Sequence, residues 1–219
     1  MKMTYDYLPN TNIYLHQRKD MFRMNTDTAL LGQFMVVKED ESVMDIGTNN
    51  GALLLYASQY TKGKLIGIDI QQDACDLAYQ NLKDNNIEDF EIICSDIKDI
   101  QNIKVDVIVC NPPYFKVGND AHVNVSEYKR IARHECYLTL DSLCESVSRC
   151  LKDKGRFYLV HRSDRLVDIC VELRKNNLEI KTIQFIRDCE NEDAHGILIE
   201  AVNQGNAHCI VKQEKIVKR

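Results

Sequence analysis

The stretch Ser42-Val43-Met44-Asp45-Ile46-Gly47-Thr48-Asn49-Asn50-Gly51 decides how the rest of the chain is read. It opens as a short, mostly apolar run that suits a buried strand, and the run ends on a glycine. A second glycine follows at Gly51 and leads into residues 52–59, an apolar segment suited to a helix. Glycines where a strand turns sharply into a helix let the backbone approach a ligand closely. The unit is therefore strand, glycine turn and helix.

Outward from it the alternation continues. Residues 64–69 supply a second strand, and Ala74, Leu77, Ala78 and Leu82 recur at helical spacing, which predicts a helix over about 72–86. Residues 91–95 and 105–110 read as a third and a fourth strand. Such alternation predicts a parallel sheet covered on both faces by right-handed crossovers, a nucleotide-binding architecture. Downstream come a helix over 140–151, a turn at Asp153-Lys154-Gly155, a fifth strand over 156–161, and a helix from Ser163 or Asp164 to about 175. Residues 178–187 and 196–202 resemble a closing pair of strands. Upstream, residues 1–25 are polar with scattered aromatics and read as irregular or hairpin-like, and Thr26-Asp27-Thr28 offers side-chain oxygens as caps for a following helix. Between residues 115 and 137 the periodicity disappears, and a connection of that length is either functional or disordered. The expected organisation is one domain over 1–219: an N-terminal covering segment (1–38), an α/β core (39–202) and a basic tail (203–219).

Composition narrows the function classes. With 44% hydrophobic and 28% charged residues, no apolar run long enough for a bilayer and no signal-like N-terminus, a cytoplasmic protein without a membrane partner is expected. The nine cysteines are spread singly without a Cys-x-x-Cys pair, and Cys94, Cys110 and Cys170 fall inside apolar runs. Buried reduced thiols are the expected use, and neither the cysteines nor the six histidines show ligand spacing, so no metal is expected. A net charge of −5 leaves room only for a local basic face toward nucleic acid. Arg18, Lys19 and Arg23, then Lys129, Arg130 and Arg133, then Lys212, Lys215, Lys218 and Arg219 are the candidate clusters, each also readable as solvated surface.

The fourth strand runs into Asn111-Pro112-Pro113-Tyr114-Phe115 and holds two of the chain's three prolines. Proline fixes φ, lacks an amide hydrogen and holds its predecessor extended, so the strand must stop there in a stiff loop. By itself that is a turn. At the C-terminal edge of an open α/β sheet, however, it would display one carboxamide and two aromatic rings where ligands bind. Asp69 ends the second strand, where a carboxylate can accept hydrogen bonds from ribose hydroxyls. The turn reads Gly-x-x-x-Gly rather than Gly-x-Gly-x-x-Gly, and Asp45 just ahead of it would repel a pyrophosphate while suiting an ammonium group. S-adenosylmethionine combines an amino-acid end, a ribose and an adenine. Asp96 is placed either to bond the adenine amino group or to cap the loop that it starts.

Taken together, these motifs resemble the class I S-adenosylmethionine-dependent methyltransferases, and Asn111-Pro112-Pro113-Tyr114 looks like the signature of those that methylate planar amino nitrogens. Residues 22–31 (FRMNTDTALL), 110–116 (CNPPYFK), Ile131-Ala132-Arg133-His134-Glu135 with Leu138-Thr139-Leu140, and Leu159-Val160-His161-Arg162 are similar to the bacterial tRNA(Val) adenine-37-N6 methyltransferases. The resemblance implies a Rossmann-like fold with a mostly parallel seven-stranded sheet, helices on both faces and a closing antiparallel strand. It also implies a tRNA substrate, methyl transfer to N6 of an adenine, and no obligate protein partner. Thr26, Asp27, Asp45, Gly47, Gly51, Asp69, Asp96 and Asn111 become the expected cofactor residues. Asn111 and Pro112 would act on the amino nitrogen together with Tyr114, whose ring could stack on the base or simply fill core. Tyr114, Phe115, Arg133 and His134 would meet the substrate, with His134 equally readable as structural.

Two departures stand out. The family usually carries glycine where this chain has Asn49, and the chain ends about where family members commonly continue, so its basic end reads as an abbreviated substrate contact. The competing readings are a protein-glutamine methyltransferase, which usually carries a helical domain ahead of the first strand, a DNA adenine methyltransferase, and a non-catalytic nucleotide- or RNA-binding module.

Overall fold

Parallel strands from distant parts of the chain lie side by side because each carries a run of apolar side chains that must be covered on both faces. A computed structural model describes residues 3–112, 138–190 and 192–217. Strands β3 (Val43–Ile46), β4 (Leu65–Asp69), β5 (Phe90–Cys94), β6 (Val105–Cys110), β7 (Leu151–Arg162), β8 (Leu178–Arg187) and β9 (Gly196–Asn203) form one sheet in the order β5-β4-β3-β6-β7-β9-β8. Neighbours are parallel except β9, which runs antiparallel to both β7 and β8. The expected seven strands and closing antiparallel strand are therefore present.

Strand order reverses between β3 and β6. From β3 the chain steps to β4 and β5 on one side, then returns to place β6 on the other. The registers align Asp45 with Gly67 and Val109, and Ile46 with Ile68 and Cys110, so three strand ends lie level. A crevice at that reversal is where an open α/β sheet holds its ligand.

Alternate residues of each strand enter two separate cores. Met44, Ile46, Ile68, Ile108 and Phe157 share one face with α4 (Leu140–Cys150) and α5 (Leu166–Lys175). Val43, Leu65, Val107, Val109 and Tyr158 share the other with α1 (Thr26–Phe34) and α2 (Ala52–Ala57). Helix α3 (Gln72–Asp84) turns Ala74, Leu77, Ala78 and Leu82 inward, as its spacing predicts. Each fully buried large apolar side chain contributes roughly 1.5–3 kcal/mol of transfer free energy. No helix among the described residues is long and apolar enough to cross a membrane.

Of the two readings of the N-terminal segment the hairpin is observed, β1 (Met3–Tyr7) against β2 (Tyr14–Arg18). Several other local expectations are corrected. The cap of α1 is Asn25, one residue before the expected oxygens: its backbone is extended and its side chain accepts the Thr28 N–H at 2.9 Å. The Asp153-Lys154-Gly155 turn is an excursion inside β7, with Lys154 at φ 58°, and the ladder to β6 resumes at Arg156. Cys94 is exposed because β5 is the edge strand, and Cys170 is only partly buried, whereas Cys110 is buried. The expected basic tail folds back instead. Strands β10 (Ile210–Val211) and β11 (Lys215–Ile216) both pair parallel with β8 and widen the sheet to nine strands. Lys212 then sits 5.1 Å over the Phe34 ring, and Arg187 bonds Glu214 at 2.6 Å.

Candidate active site

The turn after β3 is built from three left-handed residues, Gly47 (φ 73°), Asn49 (φ 48°) and Gly51 (φ 78°). Gly47 and Thr48 both donate their N–H to the Ile68 carbonyl, at 2.8 and 2.9 Å, which ties the turn to the end of β4. Asn49 takes a conformation that costs most L-residues about 1–2 kcal/mol but that asparagine tolerates better. It is held there at both ends: its N–H donates to Asp69 Oδ2 at 2.9 Å, and its Nδ2 donates to the Phe22 carbonyl at 2.6 Å. The two glycines serve different ends. A Cβ on Gly51 would come within 2.8 Å of Leu82 Cδ1, so this glycine lets α2 lie close to α3. A Cβ on Gly47 would meet nothing within 4 Å, and the residue faces open space.

That space is a cleft of about 330 Å³, open to solvent, lined by Asp45, Gly47, Asn49, Thr28 and Asn111 among others. Its far wall comes from Phe22, Arg23 and Met24, which pass over the turn as a strap. Side-chain amides fix the strap and hairpin to the sheet. Gln17 Oε1 accepts from Met24 N–H at 2.7 Å and from Asn50 Nδ2 at 3.3 Å. Asn81 of α3 donates to the carbonyls of His16 and Asn50 and accepts the His16 N–H. Arg23 pairs with Asp6 of β1 at 2.9 Å.

Asp45 is 1% exposed, and its carboxyl is pushed up to about 7. Burial is the chief cause, the facing Thr48 hydroxyl opposes it, and the Asp69 carboxylate adds to it. Thr48 and Asp45 nevertheless stop short of hydrogen-bond geometry, and Asp45 Oδ1 and Thr48 Oγ1 are both buried without a hydrogen-bond partner among the described residues. Buried polar atoms in this condition are costly and rare. A cation with hydrogens to give, placed against the turn, would satisfy both. The amino-acid end of S-adenosylmethionine carries such an ammonium, and the open side of Gly47 gives it room, so the residues fit that group.

Asp69 closes β4 and is 7% exposed. Burial raises its carboxyl, opposed by the N–H groups of Gln71, Asn49 and Ile70. Besides Asn49, Gln71 N–H reaches Oδ1 at 3.0 Å; a carboxylate has about four acceptor positions, so capacity for ribose hydroxyls remains. Asp96 Oδ1 accepts the Lys98 N–H at 3.0 Å and its other oxygen pairs with Lys98 Nζ at 3.0 Å, so of the two roles weighed for it the capping one is observed. Thr26 is exposed at the start of α1 and Asp27 is partly buried beside it. Of the expected cofactor residues, Asp45, Gly47 and Asn111 line the cleft; Thr26, Asp27, Gly51, Asp69 and Asp96 do not. Asn111 directly follows β6, and its Nδ2 donates to Thr28 Oγ1 at 3.0 Å. Pro112 is buried behind it. Tyr114, Phe115, Arg133 and His134 lie outside the described residues.

Sequence reading missed Thr28, Asn50 and the strap residues Phe22 and Met24 as walls of the cleft. A signal existed only for Thr28, since Asn25-x-x-Thr28 has the spacing of a helix cap and its third helical residue. That spacing says nothing of Asn111.

Comparison with known proteins bears on the family and the fold. A family model described as a methyltransferase domain matches residues 37–214. The chain is 30% identical over 208 residues to a tRNA1(Val) (adenine(37)-N6)-methyltransferase of Porphyromonas gingivalis, covering 87% of this chain and 80% of that one. It is 33% identical over 143 residues to the enzyme of the same name from Shewanella halifaxensis, covering 63% of this chain and 56% of that protein. In fold it is similar to a predicted O-methyltransferase from Agrobacterium tumefaciens, with a TM-score of 0.70 at 15% identity over 88% of each chain.

Proposed function

The chain belongs to the family of tRNA1(Val) (adenine(37)-N6)-methyltransferases, class I enzymes that use S-adenosylmethionine, and from that premise we propose that it methylates the N6 amino group of adenine 37 in a valine tRNA. The observation that carries this reading is the meeting of Asn111 with Asp45 and Gly47 in one cleft at the reversal of strand order. The bound cofactor supplies an electrophilic methyl group on a sulfonium.

Everything else falls to the protein. Asp45 holds the amino-acid end of the donor through charge, from a buried position at the base of the cleft. Asp69 accepts from the ribose, and Gly47 keeps the approach clear of side chain. Asn111 Oδ1 and the Pro112 carbonyl accept the two hydrogens of the adenine amino group. That pull draws the nitrogen lone pair out of conjugation with the ring and aims it at the methyl carbon. With the donor bound, its sulfonium would give up the methyl to this nitrogen as the S–C bond parts, and the surplus N–H proton would pass to water. Neither acceptor is a base, so the gain comes from placement and preorganised dipoles. Tyr114 supplies a face on which a base turned out of its loop can stack, a contact worth about 1–3 kcal/mol.

Labelled S-adenosylmethionine offered with separate pools of tRNA, DNA and release factor tests the reading, followed by mapping of the labelled nucleotide. Label on N6 of adenine 37 in a valine tRNA is the expected result. Label on a glutamine of the release factor would replace it with the protein-glutamine reading. Asn111→Ala is expected to abolish transfer while keeping donor binding; undiminished turnover would sink the role given to Asn111.

A further inference from the structure

A carboxamide has an acceptor end and a donor end of nearly the same shape, so an asparagine that must present its oxygen needs neighbours that forbid the flipped form. The hydrogen bonds behind Asn111 do this in three linked steps. The Thr28 backbone N–H, which can only donate, meets the Asn25 side chain at 2.9 Å, which makes that atom Oδ1. The Thr28 hydroxyl also reaches Asn25 Oδ1, at 3.0 Å, and against a carbonyl oxygen it must spend its single hydrogen there. Its oxygen is left with lone pairs only, and those face Asn111 Nδ2 at 3.0 Å. A flipped Asn111 would set oxygen against oxygen at that distance and turn its NH2 toward the substrate's own NH2.

We propose that Thr28 is a positioning residue whose hydroxyl carries polarity from the cap of α1 to the amide of Asn111, fixing its oxygen as the end offered to the substrate amino group. The proposal rests on the reading that Asn111 accepts a hydrogen from that group. It joins two elements 83 residues apart in sequence. The N-cap of a short helix thereby acquires a function besides starting the helix: it sets the sense of a hydrogen bond at the opposite wall of the cleft.

The test compares kcat, KM for tRNA and the dissociation constant of S-adenosylhomocysteine across a set of variants. Thr28→Val keeps the shape and removes the hydroxyl; kcat is expected to fall about tenfold, the scale of one hydrogen bond, with cofactor affinity within twofold of the parent. Thr28→Ser is expected to retain kcat. Asn25→Asp keeps the acceptor and should retain it too, whereas Asn25→Ala frees the Thr28 hydrogen to turn toward Asn111 and should lose it. This second pair decides the matter if Thr28→Val does not fold.

Full kcat in Thr28→Val beside a dead Asn111→Ala overturns the proposal and leaves the role of Asn111 standing. A loss explained by weaker cofactor binding also overturns it. Full kcat in Asn111→Ala removes the role of Asn111, and the proposal with it.

Discussion

The proposed contact between Asp45 and the ammonium of the donor predicts that cofactor binding depends on pH. In the free protein its carboxyl titrates near 7, against 3.8 for an exposed aspartic acid, because it is buried without a compensating cation. An ammonium group laid against it favours the ionised form, so binding must expel whatever proton Asp45 still holds. At pH 8 about nine-tenths of the free protein is already ionised; at pH 6 about one-tenth is. The affinity for S-adenosylhomocysteine, which carries the same ammonium as the methyl donor, should therefore fall about tenfold from pH 8 to pH 6. Calorimetry at pH 6 in buffers of different ionisation enthalpy should show close to one proton released.

Asp45→Asn should bind weakly at both pH values and lose the slope. Stability moves the other way. The folded pKa lies above the unfolded one, so the folded free protein gains most from this group below about pH 4 and loses that gain as pH rises toward 7. The full shift is of the order of 4 kcal/mol. Near neutral pH, Asp45→Asn should accordingly melt higher than the parent when no ligand is present. A parent affinity that is flat from pH 6 to 8, or an Asp45→Asn variant that keeps the slope, would refute the assignment of Asp45 as the ammonium partner.

Two further substitutions probe the end of β4 and the turn bonded to it. Asp69→Ala removes the acceptor of the Asn49 and Gln71 N–H groups together with the proposed ribose contact, and should raise the dissociation constant of S-adenosylhomocysteine at least tenfold by calorimetry; an unchanged value would detach Asp69 from the ribose. Asn49→Gly relieves a left-handed backbone and deletes the Nδ2 bond to Phe22, effects of about 1 kcal/mol each and opposite sign, so thermal unfolding should barely move. Hydrogen exchange over residues 19–25 should instead quicken several-fold, and unaltered exchange would show that the strap is held by Gln17 and Arg23 without Asn49.

Much of the fold was legible in the sequence because its signals are local. Val105–Cys110 is apolar on both faces and ends before two prolines, and β6 has those bounds. Gly47 and Gly51 mark the turn because left-handed backbone is costly for residues with a side chain, and both adopt it. What escaped depends on partners far along the chain. Residues 210–211 and 215–216 carry no strand signal of their own and become strands only because the edge of β8 offers them unpaired groups. Lys154 satisfies the turn chemistry that its neighbourhood announces, yet pairing with β6 on either side absorbs the turn into β7. Cys94 sits in an apolar run that predicts burial, and only its place at the sheet edge exposes it. In the site, the convergence of Asp45, Gly47 and Asn111 followed from strand ends that the alternation made level. The contact of Thr28 with Asn111 escaped for the opposite reason, since it is a hydrogen bond between residues 83 positions apart.

The reversal of strand order between β3 and β6 also has an evolutionary side. Asp45, Gly47 and Asp69 come from β3 and β4 and the turn after β3, on one side of the seam, while Asn111 directly follows β6 on the other. Substitutions beyond Asn111 leave the residues of β3, β4 and their turn unchanged. A lineage built on this plan is free to exchange one acceptor for another while inheriting its methyl-donor site nearly intact.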